Sequence, residues 1–115
     1  MSFSIKSEIA LNYPNKIIWK LLSSPGHLEL FHPFCKNNYP LRWEDQANKK
    51  DILIYLNGLE YHRNFKNWKE LDFFELEIGK KNGKQSKVRW NTQDLGGKTI
   101  LKITVFPYKS NKINK

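Results

Sequence analysis

The sequence predicts an α+β fold, an antiparallel β-sheet with two short helices inserted between its first and second strands. Three observations carry that expectation. Asn57-Gly58 separates two β-rich runs, and Asn-Gly is a strong hairpin signal because both residues tolerate positive φ. From Asp51 to Phe106, runs of alternating apolar and polar residues are joined by short turns, which is how consecutive hairpins build a sheet. Helical periodicity occurs early, in two stretches that Pro14 and Pro25 can open.

Taken in order, residues 3–11 alternate Phe3, Ile5, Ile9 and Leu11 against Ser4, Lys6 and Glu8, as a half-buried strand would. Tyr13-Pro14 then starts a helix whose apolar face is expected to be Ile17, Ile18, Leu21 and Leu22, with Trp19 on its flank. Ser24 can cap a second helix that Pro25 opens and that carries Leu28 and Phe31 inward. Pro33 ends it by pushing His32 out of the helical region, leaving His32-Pro33-Phe34-Cys35 as an irregular aromatic turn. Leu41-Arg42-Trp43 reads as a short strand, and residues 46–50 as a polar connection.

The hairpin around Asn57-Gly58 comes next. A two-residue loop sets Leu56 opposite Leu59, Ile54 opposite Tyr61, Ile52 opposite Arg63 and Leu53 opposite His62. The core face then carries Ile52, Ile54, Leu56, Leu59, Tyr61, Arg63 and Phe65, with Arg63 its one charged residue. The second strand extends towards Trp68. Three more strands follow, with Phe74, Leu76 and Ile78, then Val88 and Trp90, then Leu101, Ile103 and Val105 expected inward. Residues 1–108 are expected to form a single domain and residues 109–115 a loose basic tail.

A chain of 115 residues suits one domain with one core. One cysteine, Cys35, rules out an intrachain disulfide and points to a reducing compartment. The first residues lack the basic start and apolar run of a signal peptide, and no apolar run approaches a transmembrane length. The expectation is a soluble, cytoplasmic protein. The formal charge of +9 invites an anionic partner. Three of those charges lie in the last seven residues, and among the 20 basic residues just Arg42, Arg63 and Arg89 are arginines. Bidentate phosphate and base recognition favours arginine, so the balance argues against a dedicated nucleic-acid role.

Five segments together resemble the SRPBCC superfamily, also called START-like or Bet v 1-like, which includes polyketide cyclase/dehydrase-type proteins. They are the opening strand ending in Tyr13-Pro14; the helix Ile17-Ile18-Trp19-Lys20-Leu21-Leu22; Pro25-Gly26-His27-Leu28 with His32-Pro33-Phe34-Cys35; the run from Asn57 to Arg63; and the last strand ending in Pro107-Tyr108. The resemblance spans roughly residues 3–108. It implies a helix-grip-like fold, in which a strongly curved antiparallel sheet holds a hydrophobic ligand cavity. The long C-terminal helix of that fold is expected to be absent or truncated here, since no amphipathic pattern follows Phe106. An apolar face left wet costs about 25 cal/mol per Å². A homodimer or another partner is therefore expected to cover the concave face.

The candidate ligand-binding residues are Tyr61, Arg63, Phe65 and Trp90, with His32 and Cys35 near the mouth. Tyr61 and Trp90 each offer a polar tip from an inward strand position. Arg63 reads as a cationic anchor for a carboxylate or phosphate, as half of a structural ion pair with a carboxylate such as Glu29 or Asp51, or as a rim residue where the sheet twists outward. Cys35 with His32 has the residue types of a nucleophile and base, but no third orienting group is evident, and a lone cysteine beside Phe34 reads as a small buried hydrophobe. His27, His32, His62 and Cys35 do not share a metal-ligand spacing, so no metal is expected, nor any cofactor. Lys80, Lys81, Lys84 and Lys87 form a basic hairpin end that reads as a solvated turn.

The leading functional expectation is the binding of a small hydrophobic or amphipathic molecule between the curved sheet and the Pro14–Phe31 helices. Two alternatives stand beside it. One is a polyketide cyclase- or dehydratase-like enzyme using His32 or Arg63 to polarise a carbonyl. The other is an interaction module docking a protein or nucleic acid on its open concave face. Whether any reaction is catalysed is left open by the sequence.

Overall fold

One antiparallel sheet takes up most of the chain. The computed structural model describes residues 4–32, 34–44 and 48–107. Its strands are β1 (Ile5–Leu11), β2 (Cys35–Arg42), β3 (Lys50–Tyr55), β4 (Glu60–Lys69), β5 (Phe73–Gly79), β6 (Gln85–Asp94) and β7 (Thr99–Phe106). Helices α1 (Asn15–Leu22) and α2 (Leu28–Phe31) lie between β1 and β2. The strand order is β1-β7-β6-β5-β4-β3-β2, and the sheet curls into a half-barrel. The expected α+β, helix-grip-like class is the observed one. Among the described residues no helix follows β7. The tail at 109–115 lies outside the described residues.

The β3–β4 hairpin departs from expectation by one residue. Asp51 pairs with Arg63, Ile52 with His62, Leu53 with Tyr61 and Ile54 with Glu60. The loop is longer than two residues. Gly58 donates to the Tyr55 carbonyl and Tyr55 to the Leu59 carbonyl, both at 2.9 Å, while Gly58 alone in the loop takes positive φ, at 89°. That is a type I turn followed by a left-handed glycine, the three-residue alternative to the two-residue Asn-Gly turn. A one-residue change of register turns a strand over. The inward side of β4 stays as expected, with Arg63 and Phe65 buried. β3 is inverted: Asp51 and Leu53 are buried in place of Ile52 and Ile54.

Three further expectations need correction. Helix α1 buries Asn15, Ile18, Trp19 and Leu22, a face one position round from the expected one. Ile17 and Leu21 stay 42% and 38% exposed, while Trp19 is 1% exposed and donates its Nε1–H to Thr92 Oγ1 on β6 at 2.9 Å. An indole that both fills space and finds an acceptor outweighs two aliphatic side chains in orienting so short a helix. Ser24 does not cap the second helix; its hydroxyl donates to the Lys20 carbonyl, and α2 begins only at Leu28. The second strand is longer and earlier than Leu41–Trp43. Its polar run was hidden from periodicity because buried Asn38 acts as a connector: it accepts from Leu28 N–H, donates its amide to the Ile52 carbonyl, and donates its N–H to Glu29. Pro40 fits because β2 is an edge strand.

The core gathers where α1, α2 and the sheet meet. Trp19, Phe65, Phe74, Leu76 and Leu101 are each at most 2% exposed. Phe74 stacks on Trp68 at 4.7 Å and on Trp90 at 5.5 Å between ring centres. Phe74, Leu76, Val88, Trp90 and Leu101 all point inward as the alternation predicted.

Candidate functional site: a cavity on the concave face

The core fills only one end of the half-barrel. Beyond it lies a cavity of about 740 Å³. Leu76, Val88, Trp90 and Ile103 give it an apolar floor from the sheet, and Leu28 and Phe31 of α2 close one side. Helix α1 contributes no lining residue, so the wall opposite the sheet is α2 rather than the whole Pro14–Phe31 segment. The cavity runs to the β5–β6 turn, where Lys80 and Lys84 line it.

A polar group sits at the inner end. The Arg63 guanidinium is 2% exposed and donates from Nε to Asp51 Oδ1 at 2.8 Å and from Nη2 to Asp51 Oδ2 at 2.6 Å. Nη2 also donates to His27 Nε2 at 3.1 Å. Accepting from a guanidinium requires a neutral imidazole with its proton on Nδ1. Burial holds the His27 pKa well below the ordinary histidine value, and the Arg63 charge pushes it the same way. Its Nδ1 makes no hydrogen bond of ordinary geometry, although the Leu22 and Ser24 backbone nearby works weakly against the shift. The His27 ring is packed by Trp43, Phe74 and Trp90 with ring centres at 5.7, 5.8 and 5.7 Å. Arg63 also lies over the Phe65 ring at 4.7 Å.

The one-residue register shift brings Asp51 directly opposite Arg63, and the two form an ion pair. The pair leaves the guanidinium part of the cavity wall, with Nη1 bonded to no described residue. Near it, Tyr55 and Tyr61 meet edge to face at 5.3 Å, and the His32 ring stands 5.4 Å from Tyr55. Burial raises the Tyr55 phenol pKa, with Tyr61 adding to the effect. Burial lowers the His32 pKa, with Arg63 second, while its Nδ1 accepts from the Phe34 N–H at 3.1 Å.

Of the residues singled out from sequence, Tyr61, Arg63, Trp90 and His32 line the cavity. Phe65 and Cys35 do not. Phe65 is 2% exposed and lies behind Arg63 against Trp43 and Phe74. Cys35 begins the edge strand β2, half-buried, with its thiol pKa raised by burial first and by Glu29 second, which is the opposite of an activated nucleophile. Leu53 and His27 are not among the candidates read from sequence, Asp51 is one only as a possible partner for Arg63, and Tyr55 reads there with the core aromatics. Leu53, Tyr55 and Asp51 come inward through the inverted face of β3. Nothing in sequence pattern marks His27, whose burial depends on where the α1–α2 bend folds. Among the described residues no three His, Cys, Asp or Glu side chains converge as a metal site requires.

The architecture just described can be set beside known structures. The aromatase/cyclase Zhui from Streptomyces sp. R1128 superposes with a TM-score of 0.74 at 14% identity, over 96% of this chain and 70% of that one. A START superfamily protein from Mycobacterium smegmatis gives 0.72 at 14%, over 94% and 79%. The fold is of the START-like, or SRPBCC, type. Norcoclaurine synthase from Thalictrum flavum, a point mutant with a transition-state analogue, gives 0.73 at 13%, over 97% and 79%. Such identities establish the START-like fold and leave the activity to be argued from the site. No protein-family model matches the sequence, and neither does any curated protein sequence. No helix of the described residues is long and apolar enough to cross a membrane.

Proposed function

We propose that this START-like chain binds a small, largely apolar molecule in the concave cavity, with one acceptor oxygen directed at the inner polar end. The observation that carries this is the cavity itself: about 740 Å³, floored by Leu76, Val88 and Trp90, with Arg63, Tyr55 and Tyr61 grouped at the inner end and Lys80 and Lys84 at the β5–β6 turn. That is the size and make-up of a small-molecule site, where apolar walls supply affinity and a few polar atoms fix orientation. Arg63 Nη1 is the donor for a carbonyl or hydroxyl oxygen, and Tyr55 and Tyr61 can complete its shell. Asp51 balances the Arg63 charge, so the pair recognises an acceptor without demanding an anion. Within this reading Tyr61, Arg63, Trp90 and His32 contact the ligand, and the described sheet and helices act as one binding domain. A ligand burying about 200 Å² of apolar surface gains roughly 5 kcal/mol before the cost of association.

The test fills the cavity from its floor. Val88 is 8% exposed and lines the cavity, so Val88→Trp projects an indole into it. With 2-acetylnaphthalene as probe, calorimetry is expected to give saturable one-site binding to the natural chain. Affinity should fall at least about tenfold in Val88→Trp while circular dichroism is unchanged. Absence of saturable binding, or equal binding by the folded variant, overturns the reading.

A further inference from the structure

The sheet has two free edges, and they are built differently. At one edge, β2 carries Pro40 and two register irregularities, between Cys35 and Asn37 and between Pro40 and Arg42. Proline and bulges are the usual means by which an edge strand refuses a further partner. At the other edge, β1 pairs with β7 in seven unbroken positions, from Ile5 opposite Val105 to Leu11 opposite Thr99. It has no proline and no bulge, and Ile5 and Ile9 are 53% and 44% exposed. Among the described residues no strand takes its outer edge.

The sequence of this open edge is complementary to itself. Ser7 is the centre, Lys6 and Glu8 flank it, and Ile5 and Ile9 lie beyond. When a second β1 is laid antiparallel about Ser7, Lys6 of each copy meets Glu8 of the other, and Ile5 meets Ile9. The two kinds of pair fall on opposite faces, because side chains alternate along a strand. The isoleucines share the concave side with Ser7, and Ser7 and Ile9 line the cavity. Other registers are worse. A shift of two residues sets Lys6 against Lys6 or Glu8 against Glu8, and like charges directly opposite destabilise a strand pair. A shift of one residue turns the two concave faces to opposite sides.

We propose that β1 is an interface for a second copy of this chain, paired antiparallel about Ser7 so that the two half-barrels form one continuous sheet. The occupant is a second copy because only a strand with this charge order satisfies both ion pairs and both isoleucine contacts at once. Such a dimer extends the sheet sideways and leaves the cavity between the sheet and α2.

The charge order supplies the test. Lys6 and Glu8 are exposed, and Glu8 has just a loose contact with Lys102 at 3.9 Å, so swaps here spare the fold. Sedimentation velocity across a dilution series is expected to show a monomer–dimer equilibrium for the natural chain. Lys6→Glu and Glu8→Lys each convert two opposite-charge pairs into like-charge pairs and should raise the dimer dissociation constant about tenfold or more. An equimolar mixture of the two variants restores complementarity and should recover the natural affinity as a mixed dimer. The double swap should recover it within one chain. A natural chain that stays monomeric at the highest concentration reached, a dimer indifferent to the single swaps, or a mixture that fails to recover overturns the proposal. Indifference to the swaps is also what a dimer closed over the cavity mouth would give.

Discussion

Asp51 grips Arg63 at 2.8 and 2.6 Å, with the carboxylate fully buried and the guanidinium 2% exposed on the cavity wall. Removing one member of such a pair leaves a charge buried without its partner, whereas removing both leaves an apolar gap. Arg63→Ala is therefore expected to cost about 3–5 kcal/mol in urea denaturation. The double replacement Arg63→Met with Asp51→Leu should cost clearly less than the single one. If the single change cost no more than the double, the pair would be bearing no charge burden. His27 adds a pH dependence with a definite sign. The unfolded chain protonates this histidine as pH falls through about 6.5, while in the fold burial and the Arg63 charge keep it neutral to well below that value. The unfolded state then binds more protons, so stability falls as pH drops from 6.5 towards 5, by at most about 1.4 kcal/mol per unit from this one group. His27→Phe keeps an aromatic ring among Trp43, Phe74 and Trp90 and should flatten that slope, whatever it does to stability at neutral pH. His32, half-buried with its pKa lowered by burial, adds a smaller slope of the same sign.

Between elements, local chemistry at turns settles which face of a strand goes inward. The 56–58 loop closes with Gly58 at φ 89°, and a Cβ there would meet nothing within 4 Å. The cost of Gly58→Ala is thus conformational rather than steric crowding, and about 1 kcal/mol is expected in thermal or urea unfolding. Gly58→Asn should cost less, because asparagine tolerates the left-handed region. A larger loss for Asn than for Ala would mean that the glycine is needed for space. Helix α1 is oriented by a different device. Trp19 reaches Thr92 on β6, and Asn15 Nδ2 donates to the carbonyl of Leu71, which is itself held at φ 71°. These anchors turn Ile17 and Leu21 outward against the apolar pattern. Sequence periodicity registers hydrophobicity but not a hydrogen bond to a residue 73 positions away.

Across the molecule, what was legible in the sequence is what depends on period and order. Alternation placed Leu76, Val88, Trp90 and Leu101 inward, and the β-α-α-β order gave the START-like sheet with its concave side. That is enough to locate Tyr61, Arg63 and Trp90 on the cavity wall. The remainder depended on one count, two residues or three in a turn. Asn-Gly suits either hairpin, since the left-handed glycine after a type I turn has the same spelling as a type I′ pair. From that count follow the partner of Arg63, the inward turn of Tyr55 and Leu53, and the outward turn of Ile52 and Ile54. Surface loops ordinarily accept insertions and deletions with little harm. This one cannot. Shortening it by a residue would swing Asp51 out to solvent, strand a guanidinium in oil and bring Ile52 round in its place. The length of an exposed bend far along the strand thus governs whether the interior is electrically balanced.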